Sequence, residues 1–135
     1  MQHPELVDSA ALLLRVALAI MFWAHAWLKI KVYTPAGAAK YFESLGLPGS
    51  VAYLTMAAEI GGGLLLLLGI GTRWVALLMV PLVLGTIVLV HGKKGWLFSN
   101  PDGGWEYPAF WIVGLIVLAL LGDGSAALGP SLGLR

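Results

Sequence analysis

The sequence contains no cysteine and few charged residues, and each shortage excludes a class of function. Without cysteine, the chain cannot form disulfides, thiolate nucleophiles, iron–sulfur clusters or cysteine-ligated zinc sites. Charged side chains make up 11% of the residues, whereas an ordinary soluble domain has about 25%. The formal net charge is +1, so the chain lacks the basic excess that would attract a nucleic acid.

Apolar residues are what the chain has in excess, at 59% against about 45–50% in ordinary soluble proteins. A membrane-spanning helix needs about 20 mostly apolar residues, and four segments meet or approach that length. They cover residues 9–30, 50–70, 73–91 and 107–121. The sequence therefore predicts an all-α fold, a transmembrane four-helix bundle in one domain of residues 1–135, with the lipid membrane as its main partner.

The segment between the first two spans, YTPAGAAKYFESLGLPGS, differs from the spans in composition. Thr34 and Pro35 are typical of a helix start, and Gly46 is typical of a helix end. Apolar residues between them follow helical spacing, at Ala38, Tyr41, Phe42 and Leu45. We therefore expect a short amphipathic helix at the membrane interface between the first and second spans.

Lysine is concentrated at one side of the predicted bundle, in the loops that follow the first and third spans. This lysine side holds Lys29, Lys31, Lys40, Lys93 and Lys94, whereas the side of the two termini holds Arg73 and Arg135. Because Lys and Arg prefer the cytoplasmic side of a membrane, we expect the lysine side in the cytoplasm and both termini outside it.

A carboxylate, Glu59, lies inside the second span, in the stretch AAEIGGGLLLLLGIGTRW. At about 1.5 Å per residue, it sits about 13 Å from the lysine side, close to the membrane midplane. Its helix face is otherwise rich in small residues, which allow close helix packing: Ala52, Thr55, Gly62 and Gly63. Since intramembrane charges usually pair, we expect Glu59 to face the bundle interior and to contact Arg15 or His25.

Two roles for these polar residues stay open. An Arg15–Glu59 pair could be architectural, fixing how the helices align. The alternative is a polar pocket that opens toward the lysine side, in which histidine and carboxylate exchange protons. Its lining would be His25, Glu59, His91 and Glu106, with aromatic walls from Trp27, Trp105, Tyr107 and Trp111.

Metal and haem sites are less favoured by the spacing of the histidines. His25, His91 and Glu59 have the composition of a facial triad, but compact ligand spacings are missing, and we assign no metal site. Two histidines near the same ends of the first and third spans could ligate a haem between helices. Their depths in the membrane differ by several residues, which disfavours that arrangement.

Three stretches resemble the DoxX family of small membrane proteins: LLRVALAIMFWAHAWLKI, AAEIGGGLLLLLGIGTRW and GWEYPAFWIVGLIVLALLGDGSAAL. They resemble the family's arginine and following lysine in the first helix, its glutamate–glycine pattern in the second, and its acidic–Tyr–Pro start of the fourth. The resemblance covers about residues 12–127 and implies a four-helix membrane bundle. The positions it carries over are Arg15, Lys29, Glu59, Gly62, Glu106 and Tyr107, without assigned roles.

The resemblance also bears on function. Some family members are associated with thiosulfate:quinone oxidoreductase or terminal quinol oxidase systems, and many are described as oxidoreductases. We therefore expect a multi-pass subunit of a redox system in the bacterial inner membrane that handles quinone or another lipophilic redox partner. The candidate catalytic residues are Glu59, His25 and Arg15, and the candidate substrate-binding residues are His91, Lys29, Glu106, Tyr107 and Trp105.

The electrons for such a reaction need an external source. The chain has no dinucleotide fingerprint and no cysteine-held centre, so a redox partner protein, a bound flavin or a haem would have to supply them. The rival hypothesis is a non-enzymatic membrane chaperone, assembly factor or small-solute transporter on the same bundle. The sequence decides neither whether the chain is an enzyme nor whether it forms homo-oligomers.

Overall fold

The computed structural model describes residues 3–134, and this part of the chain contains helices and no strands. The α-helices are α1 (Pro4–Trp27), α2 (Pro35–Ser44), α3 (Ser50–Leu68), α4 (Thr72–Thr86) and α5 (Glu106–Leu121), followed by a short 3₁₀ helix at Pro130–Leu132. The predicted all-α fold is confirmed. Arg135, counted above on the side of the termini, lies outside the described residues.

Three helical stretches in the described residues are long and apolar enough to cross a membrane: Pro4–Val32, Ser50–Leu68 and Thr72–His91. The fourth apolar helix, α5, has 16 residues. At about 1.5 Å per residue it is about 24 Å long, which is shorter than the roughly 30 Å of a hydrocarbon core. The first three predicted spans are thus confirmed as candidate spans, and α5 is a shorter apolar helix.

The four longest helices enclose a common apolar core. α1 packs mainly against α3, and α4 packs mainly against α5. Each of the four supplies fully buried side chains to one cluster, among them Phe22, Leu66, Val83 and Leu115. Two helical hairpins therefore join around shared apolar side chains, and polar groups inside this core need partners of their own.

Helices α1 and α4 both continue into one turn of π-helix at their C-terminal ends. These turns cover Leu28–Val32 and Ile87–His91. Their hydrogen bonds span five residues, from Tyr33 N–H to Leu28 O (2.9 Å) and from Gly92 N–H to Ile87 O (2.6 Å). Such turns change the direction in which the last side chains of a helix project, and here they carry Lys29 and His91.

The short helix predicted between the first two spans is present as α2. Thr34 precedes it, and its hydroxyl oxygen accepts a hydrogen bond from Gly37 N–H (3.2 Å). Ala38 is buried against Ala52 and Met56 of α3. This packing fixes α2 on α3 and leaves Tyr41 exposed.

Residues 122–134 connect the ends of three helices at the side of the termini. Leu128 N–H and Gly129 N–H donate to the carbonyls of Leu68 and Gly69, at 3.0 and 2.9 Å. The carboxylate of Asp123 accepts from Thr72 N–H, at the first turn of α4 (3.4 Å). The segment therefore ties the end of α3 and the start of α4 to the end of α5.

Candidate functional site

Glu59 is buried in the bundle and paired with a lysine. Its carboxylate Oε1 lies 2.7 Å from Lys29 Nζ, and the two side chains are 3% and 18% exposed. The prediction that Glu59 faces the interior is confirmed. The predicted partners, Arg15 and His25, are wrong: the partner is Lys29, which the π-turn of α1 carries.

The level at which Arg15 meets α3 explains why it is not the partner. Its guanidinium contacts Leu66 O, which lies seven residues beyond Glu59 on α3, about 10 Å along the helix at about 1.5 Å per residue. A lysine has a long, flexible stem, so Lys29 can reach from the end of the helix to a carboxylate deeper in the membrane. Helical spacing gave the depth of each Cα atom, but it did not give the reach of the side chain.

Arg15 binds backbone carbonyls instead of a carboxylate. Its fully buried guanidinium donates to Leu66 O and Leu67 O, both at 3.3 Å, and to Ala126 O at 2.5 Å. The last carbonyls of a helix have no partner within the helix, and a guanidinium can satisfy several of them. Arg15 therefore joins α1 to the end of α3 and to the segment after α5.

The second carboxylate oxygen of Glu59 has no hydrogen-bond partner within the described residues. Oε2 is buried, and Oε1 alone contacts Lys29. The nearby helix face has no room for more atoms: a Cβ at Gly62 would lie 2.9 Å from the sulfur of Met79. An orphaned buried acceptor is a polar group that a proton or a hydrogen-bond donor can satisfy.

His91 and Tyr107 form a hydrogen-bonded pair between the end of α4 and the start of α5. His91 Nδ1 lies 2.9 Å from Gly103 O, and His91 Nε2 lies 2.8 Å from the hydroxyl of Tyr107. A carbonyl only accepts, so Nδ1 carries the proton, and in the neutral ring Nε2 accepts from the Tyr107 hydroxyl. The predicted binding residues His91 and Tyr107 are therefore in direct contact.

His25 lies on the other side of Tyr107. Its Nδ1 is 2.8 Å from Met21 O, so this nitrogen donates within α1. Its ring centroid is 6.3 Å from that of Tyr107 and 4.7 Å from that of Trp111. His25 therefore extends the polar and aromatic groups of His91 and Tyr107 toward α1.

A cavity of about 480 Å³, here called the aromatic cavity, lies beside this group at the start of α5. It is lined by Trp96, Phe98, Glu106, Tyr107, Ala109, Phe110 and Val113. Glu106 Oε1 accepts a hydrogen bond from Phe98 N–H at 3.1 Å, which fixes the loop to the helix. Trp105 does not line the cavity but supports it, with its ring centroid 4.5 Å from that of Trp96.

Of the four residues predicted to line one pocket, the cavity includes Glu106 but not His25, Glu59 or His91, so the predicted single pocket is divided. One part is the Lys29–Glu59 pair between α1 and α3, and the other is the aromatic cavity. Trp96, Phe98 and Phe110 were not among the predicted site residues. Part of the lining could have been found from the sequence, because residues 106, 109, 110 and 113 have the spacing of one helix face.

The His, Asp and Glu side chains of the described residues do not form a preorganised metal or haem site. Within residues 3–134, no three His, Asp or Glu side chains cluster closely enough to hold a metal ion. Both ring nitrogens of His91 are engaged, with Gly103 O and the Tyr107 hydroxyl. A haem iron would have to displace Tyr107 from His91 to use Nε2.

The sequence of residues 10–92 matches the DoxX family, which is more than half of the chain. The chain belongs to the DoxX family. It is 34% identical over 123 residues to "Putative oxidoreductase CatD" of Bacillus subtilis (strain 168), covering 91% of this chain and 87% of the relative. It is 38% identical over 89 residues to "Inner membrane protein YqjF" of Escherichia coli (strain K12), covering 66% of this chain and 67% of the relative. No solved structure matches it significantly.

The DoxX match and the apolar helices together identify a membrane protein with a relative named as an oxidoreductase. The DoxX match contains the Lys29–Glu59 pair, Arg15 and both histidines discussed above. Helix α5 and the whole lining of the aromatic cavity lie beyond it.

Proposed function

We propose that this DoxX protein is the membrane subunit of a redox system and binds a quinone, or another lipophilic redox carrier, in the aromatic cavity. The observation that carries the proposal is the hydrogen bond from Tyr107 to His91 at the wall of that cavity. It places a hydroxyl in the lining of the cavity, with the imidazole of His91 directly behind that hydroxyl. The name of the CatD relative, an oxidoreductase, points in the same direction.

The dimensions and lining of the cavity suit such a ligand. Small-molecule sites usually measure about 300–1,000 Å³ and combine apolar walls with a few polar groups, and this cavity measures about 480 Å³. Trp96 and Phe98 can pack against a ring. Phe110 and Val113 are exposed on the outer face of α5, so an isoprenoid tail can leave the cavity along that face into the lipid.

Reduction of a quinone to a quinol takes two electrons and two protons. The electrons come from a redox partner protein or from a flavin or haem bound to it. In this chain, the Tyr107 hydroxyl turns its hydrogen from His91 Nε2 to a quinone carbonyl when the ligand binds, and His91 and Glu106 exchange protons with water at the lysine side. His25, whose ring lies beside that of Tyr107, extends this proton path toward α1. Glu59, whose free oxygen lies outside the cavity, serves as a separate proton acceptor between α1 and α3.

Lys29 and Arg15 have positioning roles in this proposal. Lys29 holds one oxygen of Glu59 and leaves the other free. Arg15 holds the end of α3 through its carbonyl contacts. Neither residue lines the aromatic cavity, so neither is expected to touch the ring of the ligand.

The proposal is tested by titrating the purified protein in detergent with a short-chain ubiquinone analogue and following tryptophan fluorescence. We expect saturable quenching, because Trp96 lines the cavity. Tyr107→Phe should raise Kd about two- to twelvefold, the equivalent of one net hydrogen bond of about 0.5–1.5 kcal/mol. Tyr53→Phe removes a hydroxyl from an exposed position on α3 and should leave Kd unchanged.

Two results would overturn the proposal: no saturable quenching, or the same Kd for the wild type and Tyr107→Phe. Either one would favour the rival class, a membrane chaperone, assembly factor or small-solute transporter.

We further propose that the protein lies in a bacterial inner membrane with both termini outside the cytoplasm. The relative named as an inner membrane protein supports the first part. The excess of lysine in the loops after α1 and α4 supports the second. This orientation places the aromatic cavity and its proton-exchanging residues at the cytoplasmic side.

A further inference from the structure

A second concave surface lies along α1, and none of its residues belongs to the aromatic cavity or to the Lys29–Glu59 pair. This α1 groove has a volume of about 280 Å³ and is lined by Trp23, Ala26, Trp27, Ile30, Lys31 and Ile60. Trp27 and Ile60 are 58% and 45% exposed, so the groove opens on the lipid-facing surface. The proposed quinone site does not use it.

The wall of the α1 groove is one face of a helix. Residues 23, 26, 27, 30 and 31 recur at helical spacing. From Trp23 to Lys31 the groove runs about 12 Å along the helix axis. It therefore extends from the membrane interior to the lysine side, in the direction in which a lipid chain lies.

The inner end of the groove is held in place by a hydrogen bond. The indole Nε1 of Trp23 donates to Ile60 O at 3.1 Å. The indole fits against α3 because Gly63 has no side chain: a Cβ there would lie 2.5 Å from Trp23 Nε1. The shape of the groove is thus built into the contact between α1 and α3.

The outer end of the groove carries a positive charge with no acidic partner. Lys29 and Lys31 lie two residues apart in the same π-turn, so they project to different sides. Lys29 turns inward and pairs with Glu59. Lys31 lines the mouth of the groove, and within residues 3–134 it takes part in no ion pair.

We propose that the α1 groove is a binding site for an anionic phospholipid of the leaflet on the lysine side. One acyl chain lies between Trp23, Trp27 and Ile60, where the walls are apolar. The phosphate of the headgroup lies at Lys31, whose charge it neutralises. A zwitterionic lipid offers the same chain but no net negative charge, so the site distinguishes the two by charge.

The first test measures this preference. The protein is reconstituted in vesicles of equal parts phosphatidylglycerol and phosphatidylcholine, released in mild detergent, and examined by native mass spectrometry for retained lipid. We expect phosphatidylglycerol to be retained in preference. Lys31→Gln should lower the ratio of the two retained lipids about fivefold, the effect of one lysine near an anionic lipid.

The matched control is Lys93→Gln, which removes the same charge from an exposed loop position on the lysine side. It should leave the ratio unchanged. An equal fall in both variants would overturn the proposal, because it would show general attraction to a basic surface. No preference in the wild type would overturn it as well.

The second test fills the groove. Ile60→Trp adds a large ring at the rim and should reduce retention of both lipids several-fold, whereas Leu54→Trp adds the same ring to an exposed position of α3 outside the groove and should not. Equal retention in these two variants would overturn the site. Helical content by circular dichroism, measured for every variant, verifies that the protein compared is folded.

Discussion

Lys29 and Glu59 form an ion pair that is almost withdrawn from solvent. Breaking a buried pair leaves one charge without its partner, which costs about 3–5 kcal/mol. Glu59→Ala and Lys29→Ala should therefore each lower the thermal midpoint in detergent. The double variant should lose less than the sum of the two single losses, because it leaves no unpaired charge.

Arg15 supplies the control for that cycle. It lies about 21 Å from Lys29 along α1, and its partners are carbonyls rather than Glu59. Losses from Arg15→Ala and Glu59→Ala should therefore add. Additive losses for Lys29 and Glu59 would show that the pair makes no net contribution in the folded protein.

The sequence predicted only part of the surroundings of Glu59 and Arg15. The burial of Glu59 was predictable, because small residues share its helix face and exposing a carboxylate to lipid is energetically unfavourable. Its partner was not, because helical spacing places Cα atoms and a lysine stem reaches well beyond its own turn. The partners of Arg15 were also unpredictable, since every residue has a carbonyl.

At the scale of the elements, the start of α4 depends on a residue from after α5. Asp123 accepts a hydrogen bond from Thr72 N–H, as an N-cap would, although it is distant in sequence. Loss of an N-cap costs about 1 kcal/mol. Asp123→Ala should therefore lower the free energy of unfolding by about that amount, and Asp123→Asn by less, because an amide oxygen still accepts.

Ser125→Ala is the control for this cap. Ser125 is an exposed residue of the same segment, so its replacement should change the unfolding midpoint little. The measurement is thermal unfolding followed by circular dichroism in one detergent. If Asp123→Ala and Ser125→Ala gave the same midpoint as the wild type, the hydrogen bond to Thr72 would not cap α4.

The ends of the helices were predictable only where the sequence has residue types, such as glycine, that are typical of a helix end. The second span was predicted to end at residue 70, and α3 ends at Leu68. Gly69 and Gly71 follow with φ of 69° and 59°, a conformation that suits glycine and ends the helix. No comparable residue type marks the two π-turns in the sequence. Each covers five residues, and the spacing of apolar residues over so short a segment is the same for a π-turn as for a continued α-helix.

At the scale of the whole molecule, the proposed orientation depends on α5 crossing the membrane. If all four apolar helices cross, the two termini share a side, and a reporter gives the same answer at both. We expect alkaline phosphatase fused after Arg135, or before Met1 behind an export signal, to be active, and green fluorescent protein at Arg135 to stay dark. A fluorescent C-terminal fusion would reverse the orientation or show that α5 does not cross.

The fold class was predictable because hydropathy alone separates apolar helices from the loops between them. The aromatic cavity was less predictable. Its lining combines a face of α5 with two residues of the preceding loop, and the path of a loop with several glycines has no periodic signal. Trp96 and Phe98 therefore could not be assigned to a cavity from the sequence alone.

The contacts of Arg15 have a consequence for how the protein is made. A ribosome releases α1 first, whereas the carbonyl of Ala126 that binds Arg15 follows 111 residues later. An arginine at the centre of a bilayer without partners costs about 2.5–3.5 kcal/mol on insertion scales. The final burial of α1 must therefore wait for later segments, and the order of synthesis and the order of assembly differ in this chain.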